Sequence, residues 1–123
     1  MAAARYEDLD VWKIAFELTR EVYRLSKEGA FARDFALKDQ VRRAAVSSMA
    51  NVAEGFARIS SREFIRFLDF ARASAMEVQA LLHLALSEGY ITQPEFEKLY
   101  DICDHLRRGI TSLMGYLRTA TTS

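Results

Sequence analysis

Three groups of residues in this chain have the types and spacings that could do chemistry. "DICDH", Asp101 to His105, sets a cysteine, an aspartate and a histidine within five positions. A thiol beside a base is the pairing that nucleophilic catalysis uses. On a helix, however, adjacent residues point about 100° apart and do not converge on one substrate. The second group lies in "SSMANVAEGFAR", Ser47 to Arg58, where Asn51 and Glu54 stand three residues apart among small apolar residues. With Glu77 further along, two carboxylates could divide acid and base roles. The third group is basic: Arg58, Arg62 and Arg66, with Lys38, Arg42 and Arg43 expected nearby, a set suited to phosphate contacts.

Metal and phosphate-loop chemistry fit poorly. A di-iron site in a helix bundle needs Glu-x-x-His pairs, but Ala80 stands three residues before His83 and Ile102 three before His105. One cysteine and two histidines lack zinc-ligand spacing. The glycines of "EGFAR" and "SEGY" do not form a phosphate-binding loop, and no serine nucleophile motif occurs. No catalytic residue, metal ligand or cofactor is therefore expected. Glu54 and Glu77 read better as parts of a structural clasp, in which Asn51, Glu54, Ser74 and Glu77, with an arginine, hold two helices in register. Buried polar groups are tolerated when they are mutually hydrogen-bonded. Ligand binding by this group is the alternative reading.

These residues must be positioned by helices. With one proline and five glycines in 123 residues, half of them hydrophobic, long helices of a single all-α domain are expected. Periodicity predicts four, over about 9–27, 35–56, 61–88 and 93–118, connected in an antiparallel up-down-up-down four-helix bundle. "SSREF" and "TQPE" read as capping boxes that open the third and fourth helices.

The first predicted helix carries two apolar ladders. Leu9, Trp12, Phe16, Thr19 and Tyr23 form one; Val11, Ala15, Leu18, Val22 and Leu25 form the other. The third carries a main stripe from Phe64 to Leu86 and a second with Phe70, Leu81 and Leu84. A helix facing one groove needs one stripe. Val11, Leu18, Val22, Phe70, Leu81 and Leu84 are accordingly expected to pack a second face or a subunit interface in a ring-like homo-oligomer. The alternative is a filled monomer core with a few exposed apolar residues. Cys103 sits on the apolar ladder of the fourth helix and should behave as a small hydrophobe.

Formal net charge is +0, from 17 basic and 17 acidic residues, which excludes a strongly basic surface overall. Between Arg33 and Arg72, eight Lys and Arg face five Asp and Glu, a mild local excess. Asp69 is placed to pair with Arg66 and weaken it. The start "MAAARYEDLD" has no apolar stretch of signal-peptide length, and no apolar run reaches the roughly 18 residues of a membrane span. With a lone cysteine, this leads us to expect a cytoplasmic protein without a membrane partner.

Three motifs together, "YEDLDVWKIAFEL" (Tyr6 to Leu18), "LKDQVRRAAVSSMANVAEGFAR" (Leu37 to Arg58) and "EFIRFLDFARASAMEVQALLHLALSEGYI" (Glu63 to Ile91), resemble the proteins encoded in intervening sequences of 23S ribosomal RNA genes. The resemblance runs from about Tyr6 to Leu117. It implies a cytosolic four-helix bundle that assembles as a homopentamer. The family's asparagine-x-alanine-glutamate-glycine motif falls on Asn51, Ala53, Glu54 and Gly55, and its glycine-serine-x-x-glutamate motif on Ala73, Ser74 and Glu77. Ala73 replaces the usual glycine and Met49 the frequent proline, which implies wider local packing and a weaker kink. The family's gene context points to ribosomal RNA, and more distant bundle relatives assist reverse transcriptases and bind nucleic acid. RNA is thus the expected partner beyond the protein itself, and an adaptor for another protein is the alternative.

Overall fold

The computed structural model describes residues 3–120, and these are all-α. A 3-10 turn, Tyr6–Asp8, precedes helices α1 (Asp10–Ser26), α2 (Gly29–Arg33), α3 (Phe35–Phe56), α4 (Ser61–Ser87) and α5 (Gln93–Ala120). The four long helices match the four expected from periodicity. The short α2 lies in what reads from sequence as a connection. Gly29 opens it with φ +54°, a conformation that favours glycine.

Local chemistry explains the helix starts. Ser60 Oγ accepts from the Glu63 backbone N–H at 3.2 Å to cap α4. Thr92 and Glu95 form the full reciprocal box at α5: Thr92 Oγ1 accepts from Glu95 N–H and Glu95 Oε1 accepts from Thr92 N–H. Asp34 caps α3 by accepting from Leu37 N–H at 3.1 Å. Its other carboxylate oxygen accepts from the Tyr90 hydroxyl at 2.9 Å, and the Tyr90 ring stacks on Phe31. One aspartate thus ties α2, α3 and the α4–α5 turn together.

Each long helix packs against two others: α3 against α1 and α4, and α5 against α4 and α1. Side-chain pairs between α3 and α4 run Gln40 with Glu77, Ser47 with Ser74 and Phe56 with Phe64, numbers rising on one helix as they fall on the other. The core between them is one cluster. Leu68, Leu99, Leu106 and Ile110 are fully enclosed, each burial favourable by about 1.5–3 kcal/mol relative to exposure. α3 contributes mainly small residues, Ala44, Ala45, Ser48 and Val52. It runs unbroken through Met49, whose backbone N–H, unlike that of a proline, can continue the helix.

The two ladders of α1 exchange the roles expected for them. Val11, Leu18 and Val22 lie in the core of this chain, buried with Ala15 and Leu25, and offer no second face. α1 points this ladder between α3 and α5. The other ladder is divided: Leu9 and Thr19 are buried, whereas Phe16 and Tyr23 reach solvent. Thr19 is enclosed with its one hydroxyl proton shared between two carbonyls, Ala15 O at 2.8 Å and Ala45 O across the contact at 3.0 Å. On α4, Phe70 and Leu84 are 46% and 48% exposed, while Leu81 packs partly against the core.

Candidate nucleic-acid interface

The turn from α3 to α4 brings the arginines together. Gly55 allows it, because a Cβ there would lie 2.8 Å from Phe67 Cβ and 2.9 Å from Phe64 Cδ1. The close approach sets Phe67 against the start of α4's exposed face, edge-on to Phe70 with centroids 5.6 Å apart. Arg58 and Arg66 both lie over the Phe67 ring, 4.6 and 5.2 Å from its centroid, and Arg66 is also 5.2 Å from Phe70. Such cation–π contacts hold a guanidinium by its face and leave its N–H edge for an acceptor. Arg58 Nη2 also bonds Glu54 Oε2 at 3.2 Å, and Arg66 Nε lies 3.7 Å from Glu63 Oε2. These pairs are solvent-exposed and weak. Arg62 has no ion-pair partner among the described residues and is exposed, as is Ile59 at the tip of the turn. Asp69 does not weaken Arg66 as its i+3 spacing suggests. It bonds Arg72 at 2.6 Å.

Lys38, Arg42 and Arg43 do not join this cluster. Arg42 and Arg58 are sixteen positions apart, roughly 24 Å at helical rise. Arg42 is moreover engaged: its Nε donates to the buried Ser26 Oγ at 2.7 Å, its Nη2 to Tyr23 O at 3.5 Å, and its guanidinium covers the Tyr23 ring. It fastens α1 to α3. Lys38 donates to Ala32 O at 3.2 Å and lies over Phe35. Arg43 alone of the three is exposed and without a partner among the described residues.

The polar clasp forms with different members. Ser47 Oγ and Ser74 Oγ share a hydrogen bond of 2.8 Å between α3 and α4, and Asn51 Nδ2 donates to Ser47 Oγ at 3.0 Å and Ser47 O at 2.9 Å. Asn51 and Ser74 are therefore in the clasp, joined by Ser47. Glu54 turns to Arg58, and Glu77 meets Gln40 Nε2 at 3.5 Å, both at exposed positions. The two carboxylates lie near opposite ends of α3, so they form no acid–base pair. A second polar layer joins α4 to α5. Buried Gln79 donates to Asp104 Oδ1 at 2.8 Å and Tyr100 O at 3.2 Å, and accepts from Arg107 Nη1 at 3.0 Å. Its sequence signal was a glutamine beside Val78 on the core-facing side of α4.

Cys103 is fully buried, and burial pushes its thiol up to about 12, with Asp104 adding to the shift. It is not a thiolate nucleophile at neutral pH. His83 packs among Phe96 and Tyr100. Among the described residues no three His, Cys, Asp or Glu side chains are grouped to hold a metal, and no helix is long and apolar enough to cross a membrane.

Residues 7–112 match the family described as 23S rRNA-intervening sequence protein. The fold is similar to the crystal structure of a protein of unknown function from the S23 ribosomal protein family of Bacteroides thetaiotaomicron VPI-5482. The TM-score is 0.77 at 22% identity, covering 85% of this chain and 97% of that one. No curated protein matches the chain significantly.

Proposed function

Since this chain belongs to the 23S rRNA-intervening sequence protein family, we propose that it is a non-enzymatic, cytoplasmic RNA-binding protein. In this reading it is an up-down-up-down four-helix bundle that works as a homo-oligomer. The opposed numbering of contacts between neighbouring helices supports that topology. Self-assembly is supported by apolar side chains left in solvent on α1 and α4 away from the arginine cluster, Phe16 and Leu84. A pentamer is the number that the family resemblance implies.

The observation that carries RNA binding is the placing of Arg58 and Arg66 on the Phe67 ring, with Phe70 exposed beside them and Arg62 unpaired. Guanidinium edges meet phosphates and exposed rings meet unstacked bases, the combination that single-stranded RNA recognition uses. An oligomer repeats the cluster in every copy, so modest contacts accumulate. Filter binding of structured RNA with single-stranded loops, at two salt concentrations, tests it. Binding at low salt that weakens with salt, and that falls with Arg62→Glu and Arg66→Glu together, is expected. No binding at low salt, or binding indifferent to both substitutions, overturns it. Light scattering that gives a single 14.0 kDa species at micromolar concentration overturns the assembly.

A further inference from the structure

Between α4 and α5 runs an open cleft of about 640 Å³, walled by Asp69, Arg72 and Met76 on one side and Asp104, Arg107, Arg108 and Thr111 on the other. That volume is within the range of small-molecule sites. Three guanidinium groups meet two carboxylates here, so the cleft carries a surplus positive charge in a chain whose net charge is zero.

The donors are unevenly used. Arg72 is held on both sides, by Asp69 at 2.6 Å and by Thr111 Oγ1 at 3.0 Å across the cleft. Since Thr111 accepts that bond, its own hydroxyl proton is left to donate. Arg107 Nη1 is held by Gln79 Oε1 at 3.0 Å and Asp104 Oδ1 at 3.4 Å, yet its Nε is buried without an acceptor. An unsatisfied buried donor is costly and uncommon. Arg108 has no partner among the described residues. The enclosed Nε does not reach the open cleft, but the two bonds on Nη1 fix the Arg107 guanidinium, and with the unpaired Arg108 this leaves donors preorganised for an oxyanion. Ala73 and the half-exposed Met76 supply an apolar wall beside them.

We propose that the α4–α5 cleft binds a phosphate group, with Arg107, Arg108 and Thr111 as its donors and Met76 packing the attached nucleoside. The phosphate can come from a free nucleotide or from the 5′ end of an RNA. The site is independent of the arginines at the α3–α4 turn.

Thermal unfolding of the full chain in the presence of adenosine 5′-monophosphate tests it. Adenosine and sodium chloride of equal ionic strength serve as controls. A second arm uses an RNA hexamer with a 5′-phosphate against the same hexamer with a 5′-hydroxyl. At about ten times the dissociation constant, a rise in Tm of about 4–6 °C is expected. A rise with the monophosphate assigns the source to a free nucleotide, and a rise only with the 5′-phosphorylated hexamer assigns it to an RNA end. Arg108→Gln, which breaks no contact, should leave the Tm of the free protein unchanged and reduce affinity at least tenfold. The proposal is overturned if neither phosphorylated probe exceeds its control, or if Arg108→Gln retains the full shift. Arg62→Glu with Arg66→Glu should leave this shift intact, so the two sites fail separately.

Discussion

Gly55 of α3 and Phe67 of α4 meet so closely that one added methyl group would stand 2.8 Å from the Phe67 Cβ. This contact determines how tightly the two helices close and where the Phe67 ring presents itself to Arg58 and Arg66. Gly55→Ala should therefore destabilise the protein by about 1–3 kcal/mol through overpacking, although alanine is the better helix former by roughly 1 kcal/mol. Urea unfolding should show a lower midpoint with an unchanged slope. An alanine variant as stable as the parent would mean that α4 yields at no cost.

The clasp separates two residues that look equivalent in sequence. Asn51→Ala removes a side chain bonded to Ser47, and Ser74→Ala removes the bond between helices. Each should cost about 0.5–1.5 kcal/mol. Glu54→Ala breaks only an exposed pair with Arg58 and should stay within about 0.5 kcal/mol of the parent. A double-mutant cycle over Ser47 and Ser74 should return a non-zero coupling. Independent, additive effects would refute the bond.

Acid stability should depend on Glu21. Its bond to Arg24, 2.7 Å, with Lys98 at 3.1 Å, lowers its carboxyl from an ordinary 4.5 to about 2. A group depressed on folding contributes stability above its unfolded pKa and loses it as pH falls towards the folded value. Denaturant midpoints of the parent and of Glu21→Gln, measured from pH 7 to pH 2, should therefore differ most above about pH 4.5 and converge towards pH 2. A constant difference over that range would contradict the assignment.

Cys103 should be unreactive in the folded protein. With its thiol pushed up to about 12 inside the core, a maleimide or disulfide reagent at pH 8 should modify it only as the chain unfolds. Rapid stoichiometric labelling under native conditions would show that α5 opens readily.

What the sequence made legible was what neighbouring residues decide. Thr92 and Glu95 lie three apart, and their mutual cap needs nothing from the rest of the chain. On α5, Leu99, Cys103, Leu106, Ile110 and Leu117 are buried as their spacing requires, with Met114 added to them and Leu113 only partly buried. Periodicity failed where two faces were equally apolar. The two ladders of α1 repeat with the same spacing, and only the position of α1 between α3 and α5 buries Val11, Leu18 and Val22. It failed also for identical neighbours: Arg42 reaches Ser26 while Arg43 faces solvent, a difference set by a partner sixteen residues away. The α4–α5 cleft depends on Arg72 meeting Thr111 across 39 positions, a pairing that no local pattern encodes.

The capture of Arg42 by Ser26 also sets the ion stoichiometry of any RNA complex. Six basic residues at phosphates would release enough condensed counterions for log K to fall against log salt with a slope of roughly −4 per protomer on a single strand. With Arg42 committed to α1, Lys38 to a backbone carbonyl and Arg43 far along α3, three remain at the turn, and the slope halves to roughly −2. Each subunit then grips weakly and lets go easily, and firm retention of RNA becomes a property of how many copies hold it at once.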